Sequence, residues 1–205
     1  MRRSIPRTTQ RRGSLVADAG RVIAGSARGI RIEAPGPGTR PLSDRVKQTL
    51  FAILEPDLPG ARVLDLFAGS GAAGIEALSR GAAAATFVEH DAGAARVIAA
   101  NLARTHLGGP GAIVIRDDAI RWLGRDADEA GQLFDLVVLD PPYARTDLLV
   151  AALEGVGPLV APGGRVVATH FWRDAPPSPV GLLASERDRR FGESALTFYR
   201  RQEDR

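Results

Sequence analysis

The four consecutive residues Asp140-Pro141-Pro142-Tyr143 carry the densest chemistry in the chain. Two prolines fix φ twice and withdraw two backbone donors, so the turn is stiff and lined with acceptors. The Asp140 carboxylate and the Pro141 carbonyl can each accept an N–H, and the Tyr143 ring can stack, which suits a planar base held by its exocyclic amine. Such an amine is a poor nucleophile because its lone pair is delocalised into the ring. Accepting its hydrogens while aligning it on an electrophile supplies catalysis without a strong base. Asp140, Pro141 and Tyr143 are therefore the candidate catalytic residues, and a strand ending in a plain Pro-Pro turn is the structural alternative.

A second constellation precedes it. Gly69-Ser70-Gly71-Ala72-Ala73-Gly74 fits G-x-G-x-x-G directly after an apolar run, and Glu89 lies twenty residues beyond Gly69. A carboxylate there can accept both hydroxyls of a ribose, as in a dinucleotide fingerprint. Asp65, four residues before Gly69, would repel a pyrophosphate and suits a cationic or amine-bearing ligand. S-adenosylmethionine (SAM) has an amine, a sulfonium and a ribose but no phosphate, and fits these residues better. A nicotinamide dinucleotide and a purely structural βα turn stay open on this pattern alone. Asp118 and Ala119 follow the third strand, where a side chain could accept from an adenine amine, although Asp118 equally suits helix capping. With Phe67 and His90, the candidate cofactor-binding set is Asp65, Phe67, Gly69, Gly71, Glu89, His90, Asp118 and Ala119. No metal is expected: His90, His106 and His170 share no ligand spacing, and each reads as a surface or helix-end residue. Trp122 and Trp172 read as packing residues, although residues 171–172 could line a cleft.

Alternating elements must position these groups. Residues 62–66, 85–89, 112–116, 134–140 and 165–169 read as strands, with helices over 71–80, 91–106, 119–123 and 147–159 between them. Runs at 185–191 and 195–200 form a last antiparallel hairpin around Gly-Glu-Ser. Upstream, runs at 21–25 and 29–33 form a small hairpin, and Ser43 caps a helix to about Glu55 with Val46, Leu50, Ile53 and Leu54 on one face. The alternation implies a mostly parallel sheet covered on both faces, with ligands beyond the carboxyl ends of its strands.

Composition narrows the classes. The chain has 205 residues, 44% of them apolar, enough for one compact domain with a small appendage. It has no cysteine, which excludes disulfides, thiolate zinc sites, iron–sulfur clusters and a cysteine nucleophile. No run approaches the roughly eighteen apolar residues of a membrane span, and the basic start MRRSIPRTTQRRGS has no apolar segment after it. A cytoplasmic location is expected. The net charge of +3 hides an asymmetry: residues 1–50 carry eleven basic groups against three acids, while the remainder is net negative. A basic first quarter on an acidic body suggests a polyanion contact at one end.

Gly25–Gly29 (GSARG), residues 40–54 (RPLSDRVKQTLFAIL), 63–82 (VLDLFAGSGAAGIEALSRGA), 87–91 (FVEHD) and 140–143 (DPPY) together resemble the RsmD family. These are bacterial methyltransferases acting on the guanine N2 of 16S rRNA at nucleotide 966. The resemblance covers about residues 21–200. It implies a Rossmann-like class I SAM-dependent fold, an α/β architecture whose seven-stranded, mostly parallel sheet has its last strand antiparallel. It also implies a small N-terminal β-hairpin that helps grip RNA. SAM is the implied methyl donor, with no metal, and the implied partner is 16S rRNA within the small ribosomal subunit or its precursor, met by a monomer with no membrane contact. Residue by residue, Asp65, Gly69 and Gly71 would line the methionine end, Glu89 the ribose, and Asp118 and Ala119 the adenine. Asp140 and Pro141 would position the guanine amine while Tyr143 stacks. The family often has RPTTDR where this chain has Arg40-Pro41-Leu42-Ser43-Asp44-Arg45, and residues 1–20 are additional to it.

The implied division is a basic, disordered extension over 1–20, a hairpin-and-helix subdomain over 21–56 that binds RNA or covers the SAM pocket, and a catalytic domain over 57–205. Arg28, Arg31, Arg40, Arg45 and Lys47 are the candidate phosphate contacts. Rival readings are an amino-methyltransferase of the same fold acting on adenine N6 or cytosine N4 of DNA or RNA, a nicotinamide-dependent oxidoreductase, and a non-catalytic assembly protein.

Overall fold

Strand order decides where the candidate residues meet. A computed structural model describes residues 18–36, 42–129 and 133–202. Most of the basic extension, and Arg40, lie outside the described residues. The elements in chain order are β1 (Asp18–Arg21), β2 (Arg31–Glu33), α1 (Asp44–Leu54), β3 (Arg62–Leu66), α2 (Ala72–Ser79), β4 (Ala84–Glu89), α3 (Ala92–Thr105), β5 (Ala112–Arg116), α4 (Ala119–Glu129), β6 (Phe134–Leu139), α5 (Thr146–Val156), β7 (Val160–Phe171), β8 (Leu183–Phe191) and β9 (Ser194–Arg201).

The last seven strands form one sheet in the order β5-β4-β3-β6-β7-β9-β8. The five strands from β5 to β7 are parallel, and β9 is inserted between β7 and β8 antiparallel to both. From β3 the chain steps outward through β4 to β5, then returns to β6 on the other flank of β3. The carboxyl ends of β3 and β6 are thus neighbours at the switch point, with Leu66 beside Leu139. A crevice opens there because successive connections leave on opposite faces.

Alternate strand residues feed two apolar layers. Val63, Phe87, Leu136, Val138 and Phe198 face α1, α2 and α3, while Leu64, Leu66, Val137, Leu139 and Tyr199 face α4 and α5. The β1–β2 hairpin joins the first layer through Ala19, Val22 and Ile32. Its loop is stitched to α2 by polar groups: the buried Glu76 carboxylate accepts from Ile23 N (2.7 Å) and Ala24 N (3.0 Å), and Ser79 Oγ accepts from Ala27 N (3.0 Å).

Some boundaries differ from the sequence reading. β1 begins at Asp18, inside the span read as extension. α4 continues past Gly124 to Glu129. β7 starts at Val160, ahead of the strand read from 165, because a register shift between its pairings with Phe134 and Leu136 absorbs Ala161-Pro162-Gly163-Gly164. Among the described residues, no helix is long and apolar enough to cross a membrane.

Candidate active site

The chain turns sharply out of β3. Phe67 (φ 65°), Gly69 (φ 56°) and Gly71 (φ 76°) all lie in the left-handed region, and α2 starts immediately after Gly71. Gly74 then packs α2 onto the sheet: a Cβ there would stand 2.3 Å from Cε1 of Phe87 on β4. That close approach brings the Gly74 N–H to the Asp65 carboxylate, which accepts it at 2.8 Å.

Three carboxylates converge on this turn. Asp65 is 2% exposed, and burial pushes its pKa up to about 8; the Gly74 amide opposes the shift, and the charges of Asp140 and Glu89 add to it. Glu89, at the end of β4, is fixed by both oxygens, one accepting from Gly69 N and the other from Asp91 N, each at 2.8 Å. The oxygen facing Gly69 keeps a second lone pair for a ligand, while the one facing Asp91 also meets His90 Nδ1 at 3.1 Å. Asp140 follows β6, and burial pushes its pKa up to about 6 against a hydrogen bond from the Thr169 hydroxyl.

These groups line a cleft of about 710 Å³ together with Phe67, Gly69, His90, Pro141 and Tyr143. Pro35 and Gly36 beyond β2, and Leu42 before α1, close its other side. A cluster of buried acids disfavours a pyrophosphate and favours a ligand bearing positive charge. The residues therefore suit SAM: Asp65 and the Gly69 turn for an amine-bearing end, Glu89 for a ribose, and Asp140 near the reacting end. Tyr143 Oη donates to Ser194 Oγ at 2.9 Å, anchoring the ring to the start of β9.

Other candidates lie elsewhere. Gly71 shapes the turn without lining the cleft. Asp118 accepts from Ile120 N and Arg121 N, capping α4, and Ala119 is buried in the α4–α5 layer; neither lines the cleft. Trp122 is buried against Phe134, whereas Trp172 carries arginines on its ring. His106 ends α3 in a left-handed conformation, but His170 is buried, contrary to the surface or helix-end reading: its ring contacts the Phe171 carbonyl and Thr197 Oγ1.

The basic residues also separate. Lys47 is 1% exposed, and its ammonium donates to the Arg21 carbonyl at 2.7 Å, so it ties α1 to β1 rather than facing solvent. Arg31 is paired with Asp18. Arg28 sits in the turn that packs on Ser79 at the C-terminal end of α2, whose other end faces the cleft. Arg45 is exposed at the start of α1.

Thr169 and Ser194, which hold Asp140 and Tyr143, carry no motif in the sequence and are recognisable only once β7 is placed beside β6 and β9 beside β7. Asn101 is likewise silent in sequence. From α3 it bonds the Glu33 backbone through both amide atoms (2.8 and 2.9 Å) and donates to the Ser70 carbonyl (2.9 Å), linking the hairpin to the glycine turn.

The family model described as Conserved hypothetical protein 95 matches residues 20–200. The chain is similar to YlbH of Bacillus subtilis (strain 168), 38% identical over 185 residues that span 89% of this chain and 99% of that protein. It is 36% identical over 185 residues to the Ribosomal RNA small subunit methyltransferase D of Escherichia coli (strain K12), spanning 89% of this chain and 90% of that protein. Among solved structures, a hypothetical protein of Thermus thermophilus superposes with a TM-score of 0.74 at 36% identity, covering 87% of this chain and 97% of the other.

Proposed function

Since the chain belongs to the Conserved hypothetical protein 95 family, the family of the RsmD rRNA methyltransferases, we propose that it moves a methyl group from SAM to the exocyclic N2 amine of a guanine in small-subunit 16S rRNA. The observation that carries this reading is the meeting of Asp65, Glu89 and Asp140 with Tyr143 in one cleft at the sheet's switch point. The cofactor supplies an electrophilic methyl on a sulfonium, and everything else falls to the protein.

Asp65 and the Gly69 turn hold the amine-bearing end, and Glu89, fixed by two backbone amides, holds the ribose. Tyr143 offers a stacking face to a base swung out of its strand, since a guanine N2 is inaccessible when paired or stacked. Asp140 and the Pro141 carbonyl accept the two amine hydrogens, turning the nitrogen lone pair toward the methyl carbon. As the N–C bond forms and the S–C bond breaks, positive charge grows on the nitrogen beside the Asp140 carboxylate, which stabilises it. One amine proton then leaves to Asp140 or water. An rRNA substrate assigns the work to the cytoplasm.

Tritiated SAM, incubated with small subunits from a strain lacking the endogenous enzyme, tests the proposal after the rRNA is digested to nucleosides. Label in N2-methylguanosine is expected. Label in N6-methyladenosine or N4-methylcytidine would overturn the guanine assignment, and absence of label would overturn the rRNA substrate.

A further inference from the structure

Many of the molecule's cations are already paired. Arg21, Arg31, Arg62, Arg80, Arg104, Arg121 and Arg125 each have a carboxylate partner. Arg45, Arg173, Arg187, Arg189 and Arg190 are among those that have none within 4.0 Å among the described residues. Four of these five come from β8 or the turn after β7, a region that the charge asymmetry of the sequence does not single out.

Two of them, Arg45 and Arg190, line a definite feature. A second hollow of about 320 Å³ adjoins the cleft, sharing Tyr143 and Leu42 with it, and is lined also by Ser43, Arg45, Arg190 and Ser194. Its position follows from sheet register: Phe171, Ser194 and Phe191 lie side by side at the end of β7, β9 and β8 that borders the cleft. Tyr143 forms the partition between the two spaces, held there by Ser194. The Arg190 guanidinium lies 3.6 Å from the centre of the Trp172 ring, and its Nε donates to the Gly192 carbonyl at 2.9 Å. A guanidinium stacked by its face keeps in-plane N–H groups on its edge for a phosphate.

A base drawn into the cleft brings its neighbour along the strand. The contacts to that neighbour must lie within one nucleotide of Tyr143. Arg28 is set back from the cleft by the length of α2, about 12 Å for eight residues. The second hollow is immediately adjacent.

We infer that this hollow binds the nucleotide flanking the target base, with Arg45 from α1 and Arg190 from β8 contacting its phosphodiester. The inference rests on the reading of the cleft as the site of an unstacked RNA base. It assigns the nearest backbone contact to the β8–β9 side of the cleft rather than to the β1–β2 hairpin. The hollow is open and polar enough to take ribose and phosphate of any sequence, so it serves positioning more than base selection.

The test measures binding of a guanine-containing single-stranded RNA oligonucleotide between about 50 and 200 mM salt. Arg45→Gln and Arg190→Gln are each expected to lower the slope of log K against log salt by about 0.7, the value for one single-strand phosphate contact, and to weaken low-salt binding several-fold. Arg62→Gln, at the opposite end of the sheet, is expected to keep the wild-type slope. SAM binding and the thermal midpoint of each variant verify that the fold and the first cleft are intact. Arg45→Gln changes an exposed side chain, so it reports even if Arg190→Gln, which loses its stack on Trp172, fails to fold. Wild-type slopes in the folded variants would overturn the inference while leaving methylation of small subunits untouched. Reduced slopes in a protein that methylates no RNA would support the hollow as a nucleic-acid contact and overturn the reading of the cleft instead.

Discussion

Asp140 has to be an anion to accept an amine hydrogen beside the Pro141 carbonyl, yet its half-buried place in the cleft disfavours that charge. Burial raises its pKa to about 6 from the ordinary 3.8, and the Thr169 hydroxyl opposes the rise. Turnover at saturating SAM and RNA should therefore increase with pH through the acid range and level off once Asp140 is ionised. Asp140→Asn keeps the shape but supplies a donor where an acceptor is needed, and it is expected to lower kcat at least about a hundredfold and to abolish that acid limb, with little change in SAM affinity. Thr169→Val should move the limb to higher pH, because a carboxylate that loses its donor holds its proton longer, and Thr169→Ser should restore it. A pH–rate profile of the three variants checks this, and a limb that stays in place in Thr169→Val would remove Thr169 from the site. Asp140, Pro141 and Tyr143 were legible in sequence because they are nearly consecutive and their types are unusual together. Thr169 and Ser194 were not, being common residues 29 and 51 positions from their partners.

The elements that carry the site were legible to the extent that their signals were local. β3 and β5 have the bounds their apolar runs indicate, and α1 starts behind Ser43, whose hydroxyl accepts from Val46 N. β1 was missed in part because it is short and owes its existence to pairing with β2. Lys47 was misread because a lysine on a helix reads as solvated; its burial rests on tertiary contact with the Arg21 carbonyl together with the Asp44 carboxylate one turn earlier. The glycine turn is where local pattern and packing agree most closely. Gly71 serves the turn, and Gly74 serves the contact of α2 with Phe87. Gly74→Ala should force α2 off the sheet, cost about 1–3 kcal/mol in urea unfolding as overpacking does, and weaken SAM binding by displacing the amide that Asp65 accepts. Phe87→Leu in the same chain should recover part of both losses by making room for the new methyl. A double variant no better than Gly74→Ala alone would mean that the ring contact is not what requires glycine.

At the scale of the whole molecule, the switch point concentrates negative charge that the fold itself does not neutralise. Asp65 is the clearest case, with burial and two neighbouring carboxylates raising its pKa from 3.8 to about 8. Between those values the folded chain keeps a proton that the unfolded chain has released. Stability of the ligand-free protein is accordingly highest at the acid side of that window and falls as pH rises toward 8, where the folded state ionises too. Asp65→Asn, which can still accept from the Gly74 amide, removes this loss. The variant should match the wild type near pH 4, where the unfolded carboxyl is still largely protonated, and exceed it in thermal midpoint by a margin that widens up to pH 8. A cationic ligand reverses the balance, because it needs Asp65 as the anion. SAM affinity should therefore rise with pH, by up to about tenfold per unit below pH 8, with uptake of the ligand releasing a proton to buffer. In Asp65→Asn both the pH dependence and the proton release should vanish, and binding at pH 8 should be weaker than wild type. Calorimetric titration in buffers of different ionisation enthalpy reads both quantities at once. A proton release that persists in Asp65→Asn would assign the linkage to Asp140 or Glu89 instead. The predicted coupling means that the same buried carboxylate which lowers the stability of the empty fold at neutral pH supplies the selectivity of the occupied one for a positively charged methyl donor.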